Sequence, residues 1–395
     1  MAILLIVIYI TFISLGLPDS LFGVAWPLAH VEFGLPESFA SIYSVITALC
    51  GGSVSFFAGP LIKKFGTGIV TAVSVVLTAV GLLTIGFAPN IYVMMLGSII
   101  SGLGAGAIDT GLNNFVSLNY KAIHMNWLHC FWVVGVTVSP LIMSIFLGDG
   151  NWHAGYRTVS YIQFGISAIV FLSLFVWRKY ENREPKKEDI EQNEQAPEIK
   201  LTIKDIFSNK GLLLGILTLG LYCSVEFNMG TWGASYLINA RGLSPEIAAR
   251  YVSFYFGGIM LGRFISGIIS LKVNDVNLIR GGVIVMFVGF VIFAIPVNAC
   301  AMIGLLLIGT GCGPIFPSTL HAIPTRFGKE FSTHFTGYHM GGAYAIGFSV
   351  QVAFGYIATA TTFKIMPYVL IALTGIMLVV SELVNKFTAK KAKSI

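Results

Sequence analysis

Apolar stretches of about 20 residues recur along this chain from end to end, and each, wound as a helix, is long enough to cross a bilayer core roughly 30 Å thick. Twelve are legible: 2–29, 38–62, 67–88, 91–117, 126–148, 157–177, 211–238, 246–271, 278–296, 299–323, 333–360 and 364–385. Only 11% of the residues are charged and 55% are apolar. A water-soluble globule of that composition would lack the polar surface to cover itself, so the chain is expected to be a multi-pass membrane protein.

The first run opens at Ala2 with no basic residues before it and carries Pro18 and Asp19 where a removed signal peptide would have small residues for cleavage. It is read as a membrane helix. The five cysteines, at 50, 130, 223, 300 and 312, sit within or at the ends of apolar spans and suggest neither a disulfide framework nor a metal cluster. A pI near 9.0 does not mark a nucleic-acid binder, because the positive residues are distributed by loop. With the amino terminus in the cytosol, the inner segments hold Lys63, Lys64, Lys121, the linker lysines, Lys272, Arg280, Arg326, Lys329 and the lysines of the tail. The outer loops hold only Arg157, Arg241, Arg250 and Lys364. This positive-inside bias places both termini in the cytoplasm of a cell whose membrane the chain spans.

The one long polar stretch, 178–210, is rich in Glu, Lys, Gln and Pro and reads as a solvated cytoplasmic linker. It separates a first six-helix bundle (1–177) from a second (211–395). The halves resemble each other at a fixed offset. "GLPESFASIYS" (34–44) returns as "GLSPEIAARYVS" (242–253), each joining the first helix of its half to the second. "GLGAGAIDTGLNN" (102–114) returns as "GTGCGPIFPSTLH" (309–321), glycine on glycine at three positions, and Gly59 pairs with Gly267. The expected fold is therefore all-α: twelve transmembrane helices in two pseudo-symmetric six-helix bundles, the arrangement of major-facilitator transporters, with the substrate site at the repeat interface.

Three acids, Asp19, Asp109 and Glu226, and one base, Arg263, fall inside spans. Each costs about 3 kcal/mol or more at the bilayer centre on insertion scales, so a proton or substrate role is the default reading and a polar contact between helices the alternative. Asp109 has Asn113 at i+4 on the same helix face, and Thr110 and Asn114 widen the polar strip. The glycines at 102, 104, 106 and 111 are read as close helix packing. They are not a dinucleotide fingerprint, because they lie inside a membrane helix and not at a strand-to-helix turn.

Helix 7 carries Tyr222, Glu226, Asn228 and Trp232, with Gly230 as a point where it could bend. Helix 5 offers Asn126, His129 and Trp132; helix 10, Ser318 and His321; helix 11, Tyr338, His339 and Gln351. The histidines taken singly are as compatible with helix packing as with ligand contact. No pair has metal-ligand spacing with a third group, so no zinc site is expected. Amide, imidazole and carboxylate partners with flat aromatic faces suit a neutral polyol such as a sugar. An anionic substrate would need more cations than Arg263 alone.

At these residues the sequence resembles the fucose, galactose and glucose proton-symporter family of the major facilitator superfamily. Helix 4 of that family has a membrane acid, then a small residue, with an asparagine four positions after the acid; here these are Asp109, Thr110 and Asn113. "GAGAIDT" is similar to the version in bacterial glucose and mannose symporters, where Glu stands at the acid position. The acid and asparagine of "VEFN" (Glu226, Asn228), "GRFISG" (262–267) and "GCGPIFP" (311–317) resemble the family's helices 7, 8 and 10. Three departures stand out. Lys63 of "GPLIKKFG" occupies the position of the superfamily's loop acid beside Lys64, the family's helix 1 acid aligns with Gly23 while Asp19 lies one turn earlier, and Asn114 replaces a frequent proline.

The resemblance implies proton-coupled uptake of a hexose-like sugar by alternating access, by a monomer without cofactors. Asp109, Glu226 and Asp19 are the expected coupling acids. Asn113, Asn114, Asn126, His129, Trp132, Tyr222, Glu226, Asn228, Trp232, Ser318, His321, Tyr338, His339 and Gln351 are the expected substrate contacts, and Arg263, Lys63 and Lys64 the gating or structural cations. Sodium coupling through the oxygens of Asp109 and Asn113 is a near rival, and drug or metabolite efflux shares the fold. No nucleophile with a base and an orienting group is legible, so an enzyme is not expected.

Overall fold

Every regular element is helical among the described residues of this computed structural model, which are 2–120, 122–181, 209–328 and 332–392. The first half comprises α1 (Ala2–Gly16), α2 (Leu21–Glu32), α3 (Phe39–Phe65), α4 (Thr67–Gly86), α5 (Ile91–Asn119), α6 (Ala122–Leu147), α7 (Trp152–Leu172) and α8 (Leu174–Glu181). The second comprises α9 (Lys210–Asn239), α10 (Pro245–Ile269), α11 (Asp275–Ala294), α12 (Asn298–His321), α13 (Ile323–Phe327), α14 (Ser332–Ala360) and α15 (Met366–Ala392). Ten helical segments within the described residues are long and apolar enough to cross a membrane. The other two expected spans correspond to α3 and to α7 with α8. Most of the linker, 182–208, lies outside the described residues, as do Lys121 and Lys329.

The first span is not the single helix expected. It breaks between Gly16 and Leu21, because Pro18 has no N–H to give and its ring excludes the carbonyl four residues before it. That carbonyl, on Ser14, is instead served by the Gln163 amide of α7, Nε2 to O 2.9 Å, and Gln163 is fully buried. Ser20 completes the repair on the other side of the break. Its hydroxyl donates to Val136 O (2.8 Å) and lies 2.7 Å from the Ser139 hydroxyl of α6. The backbones of α1 and α6 can meet here because of two glycines: a Cβ on Gly16 would overlap the Trp132 carbonyl, and one on Gly135 the Ile13 carbonyl.

The repeated glycines act in packing. A Cβ on Gly104 would sit 2.5 Å from Ser74 O of α4, and one on Gly97 2.7 Å from Gly81 O. At the related places of the second half, a Cβ on Gly311 would come 2.5 Å from Gly282 O of α11, and one on Gly304 2.7 Å from Phe293 N. In both halves the glycine seam draws the third and fourth spans together. Gly34 and Gly242, related by the repeat, both turn through the left-handed region, φ 63° and 67°, where a side chain is strained. Gly34 ends α2 in a Schellman pattern, with Leu35 N to His30 O at 2.8 Å and Gly34 N to Val31 O at 3.1 Å.

The chain divides into two compact units. One contains Met1–Arg183, Gly230–Gly257 and Gly355–Phe363; the other contains Glu184–Met229, Gly258–Phe354 and Lys364–Ile395. The helix α9 runs unbroken through Gly230. The bend expected there does not occur. The missing side chains serve helix contact instead, since a Cβ on Gly23 would overlap the Gly230 carbonyl. Within the second, Arg280 grips Glu382 through two bonds of 2.6 and 2.8 Å, and Arg326 donates to Asn385 Oδ1 at 2.9 Å.

The Pro18 and Gln163 pairing is open to a double-mutant cycle. Gln163→Leu leaves the Ser14 carbonyl buried without a donor and should lower stability by about 1–3 kcal/mol. In a Pro18→Ala background, where the helix can supply its own N–H, the same substitution should cost clearly less. Thermal unfolding in detergent checks this, and additive losses would show that the amide does not repair the proline break.

Candidate functional site

Asp109 and Asn113 lie one turn apart on α5, and the expected common face is realised. Asn113 Nδ2 donates to Asp109 Oδ1 at 2.8 Å and to the Asp109 carbonyl at 2.9 Å. The amide thus orients one carboxylate oxygen and leaves the other to a proton or a ligand. Asp109 is exposed in this structure. The side chains of Thr110, Asn114 and Asn126 lie outside those described.

Asp19 sits on the non-helical turn of the broken first span, exposed, with Trp132 Nε1 donating to its Oδ2 at 2.8 Å. Indole N–H is a donor only, so the Asp19 oxygen is the acceptor of this bond. The edge of the Trp132 ring is therefore committed to Asp19. His129, a turn earlier on α6, meets Phe12 edge to face at 6.0 Å between ring centres. Tyr9 Oη, on the same helix pair, lies 3.0 Å from His124 Nδ1.

In the second unit, Tyr222, Glu226 and Arg263 share one electrostatic neighbourhood, the guanidinium acting on both the acid and the phenol. The Tyr222 hydroxyl lies beside the Glu226 carboxylate without a hydrogen bond of normal geometry to any described group. The Tyr222 ring faces Phe316 at 6.1 Å, and Phe316 is the repeat counterpart of Asp109. Asn228 Nδ2 donates to Ser224 O at 2.7 Å, while its Oδ1 is buried without a partner among the described groups. The hydroxyl of Thr319, next to the buried Ser318 on α12, is in the same condition. Unpartnered buried oxygens are costly, and a ligand bearing hydroxyls is one way to satisfy them.

Most of the remaining expected contacts are buried or packed. Trp232 is fully buried against Phe363, ring centres 5.9 Å apart, and against Gly355 in the first unit. His321 is at the end of α12, its Nδ1 2.8 Å from Asp275 Oδ2 and its side chain 81% exposed. His339 is buried with Nδ1 2.8 Å from Phe335 O and packs on Gly215. Tyr338 packs on the cluster of Leu212, Ile323 and Phe335. Gln351 is fully buried on α14. Lys63 and Lys64 are exposed near the end of α3, Lys64 Nζ 5.2 Å from the centre of the Phe65 ring. No group of three or more His, Cys, Asp or Glu side chains among the described residues is arranged to hold a metal ion.

Gln163, Ser20, Glu37 and Asn239 all make polar contacts that were not anticipated from sequence. The only advance signal was the recurrence of "GLPE" as "GLSPE", which marks Glu37 and Glu246 as counterparts.

A family model described as Major Facilitator Superfamily matches residues 8–352. The chain belongs to this superfamily. Among its curated relatives are the glucose/mannose transporter GlcP of Bacillus subtilis, 25% identical over 66% of this chain and 64% of its own length, and a glucose/galactose transporter of Brucella abortus, 24% identical over 67% and 66%. The matched region thus spans just under two thirds of these relatives. The fold is that of solved transporters: the nucleoside transporter NupG (TM-score 0.75, 12% identity, 96% of this chain and 98% of that one) and the E. coli fucose:proton symporter FucP (TM-score 0.60, 15% identity, 97% and 98%). As in other members of this superfamily, the chain is an integral, multi-pass membrane protein, and its twelve spans fall into two pseudo-symmetric bundles.

The indole-to-carboxylate bond gives a specific expectation. Asp19→Asn and Trp132→Phe should each lower thermal stability modestly, and the double variant should lose about 1 kcal/mol less than their sum. Strictly additive melting shifts would mean that the bond contributes nothing.

Proposed function

We propose that this protein takes up a hexose-like sugar by alternating access, driven by a proton gradient. The observation that carries the reading is the division of labour between polar groups. An exposed acid oriented by its own asparagine stands in the first half, and two buried oxygens without a partner among the described groups, Asn228 Oδ1 and Thr319 Oγ1, stand in the second, with Tyr222 Oη beside Glu226. The first arrangement suits a proton that comes and goes; the second suits the hydroxyls of a neutral polyol. Relatives named as glucose/mannose and glucose/galactose transporters, and a structural neighbour titled a fucose:proton symporter, support the same substrate class and coupling ion.

In this reading Asp109 carries the proton. When the site closes around the substrate, a protonated Asp109 lets the loaded carrier turn over without a buried charge. Asn113 orients the carboxylate and competes with the proton for it. Glu226, held in the field of Arg263, accepts sugar hydroxyls together with Asn228. Asp19 is a second, exposed acid, held by the Trp132 indole. Asn114, Asn126, His129, Ser318, Gln351 and the aromatic side chains form the remaining candidate contacts, while Arg263, Lys63 and Lys64 are structural or gating cations. The halves 1–177 and 211–395 are the moving bodies, joined by a linker at 178–210. Both termini face the cytoplasm, and one chain suffices.

Radiolabelled glucose uptake into proteoliposomes tests this. An imposed gradient of about one pH unit supports about tenfold accumulation per proton. The wild-type protein should approach that, and Asp109→Asn should lose accumulation while retaining sugar exchange. Concentrative uptake by Asp109→Asn equal to wild type would remove Asp109 from coupling. Accumulation that follows a sodium gradient at fixed pH would replace the proton with sodium.

A further inference from the structure

The repeat places two glutamates at related positions, Glu37 after Gly34-Leu35-Pro36 and Glu246 after Gly242-Leu243-Ser244-Pro245. The left-handed turns at Gly34 and Gly242 start both segments in the same way; Glu246 lies in the first turn of α10, and Glu37 just before the N-cap of α3. Both acids reach across to the other half of the sequence, inside the first compact unit. Asn239, the last residue of α9, places Nδ2 3.1 Å from each carboxylate oxygen of Glu37. The Glu37 backbone is held in turn, its carbonyl accepting from the fully buried Trp26 indole at 2.8 Å. The Glu246 carboxylate lies over Gly148, in the turn that follows α6, so closely that a Cβ there would overlap it.

We infer that Glu37 and Glu246 form a paired latch that holds the two halves of the sequence together at the loop end of the first compact unit, Glu37 gripping the end of α9 through Asn239 and Glu246 seated on the turn after α6. The chain directions support the placement. Residues 33–38, 148–151, 240–244 and 361–362 are all loops at the ends of helices that run away from the terminal side. Within the helices that lead to these loops, second-half segments join the first unit, with Gly23 against Gly230 and Gly355 against Trp232 and Ser41. The apolar and glycine contacts supply shape. Glu37 supplies a bond that can be released and Glu246 a close contact, because both are half-buried, not sealed, and Asn239 is exposed. Water can therefore replace the Asn239 amide when the mouth opens, which an apolar seal of the same area would not allow at similar cost. Neither an ion pair nor a titration is required.

This inference rests on the alternating-access reading but not on the identity of the cargo. It is tested without any sugar, by hydrogen–deuterium exchange of the full chain in detergent. Asn239→Asp sets two carboxylates against each other and should speed amide exchange about fivefold or more in 33–38 and 240–245 together, the order expected for loss of one charge-assisted hydrogen bond. The segment 148–151 should follow. Exchange in α4 and α5 should stay at the wild-type rate, which shows that the fold is intact, and the swap Glu37→Asn with Asn239→Glu should restore protection. If Asn239→Asp loosens α4 and α5 as well, the milder pair Glu37→Gln and Glu246→Gln decides: a joint increase confined to the three loops supports the latch. Unchanged exchange in the loops, or an increase only beside the substituted residue, overturns it. Loops that respond as described in a protein that takes up no sugar would keep the latch and reject the cargo.

Discussion

The absence of water from the hydrocarbon core is the constraint from which the rest of this structure follows. A backbone group there must find its partner within the protein, which is why the spans are helices and why any departure from helix has to be repaired by a named side chain. The break in the first span shows this directly. Pro18 interrupts the ladder, Gln163 takes over the Ser14 carbonyl, and Ser20 reaches the Val136 carbonyl of α6. Only with those repairs in place can Asp19 occupy a turn instead of a helix, within reach of the Trp132 indole.

The same constraint explains how one scaffold used twice comes to carry different chemistry. Glycines at related positions bring the third and fourth spans of each half into backbone contact, so the frame is common to both. The charge is not. Where α5 has Asp109, α12 has Phe316, and Phe316 faces the Tyr222 ring near Glu226. One half presents an acid with an amide to steady it; the other presents an acid in the field of an arginine, with buried oxygens around it that lack partners. The proposed division between a proton-handling group and a hydroxyl-binding group rests on this asymmetry of charge on a symmetric frame.

Local spacing made part of the candidate site readable. Asp109 and Asn113 are four residues apart in a helix, and that spacing alone put their side chains in contact. The glycine series announced close packing because small residues at helical period have few other uses in a membrane. Gly230 was different: the absence of a side chain was equally compatible with a bend in α9 and with contact to another helix, and the approach of Gly23 decided for contact. Trp232 and His321 carried the right chemistry for a sugar contact, yet Trp232 is sealed in a core and His321 is paired with Asp275 at a helix end. Side-chain type alone does not reveal depth or facing.

The sequence by itself determined the membrane setting, the twelve spans, the duplication and the inventory of costly polar residues, because hydrophobic length, charge bias and short-range helical period are local properties. The tertiary structure alone decided which polar groups meet. Trp132 and Asp19 are 113 residues apart, Gln163 and Ser14 149, and Asn239 and Glu37 202. Partners at such separations are chosen by how helices pack, through small residues that let two backbones approach at one point and not another, and no local pattern in the chain encodes that choice.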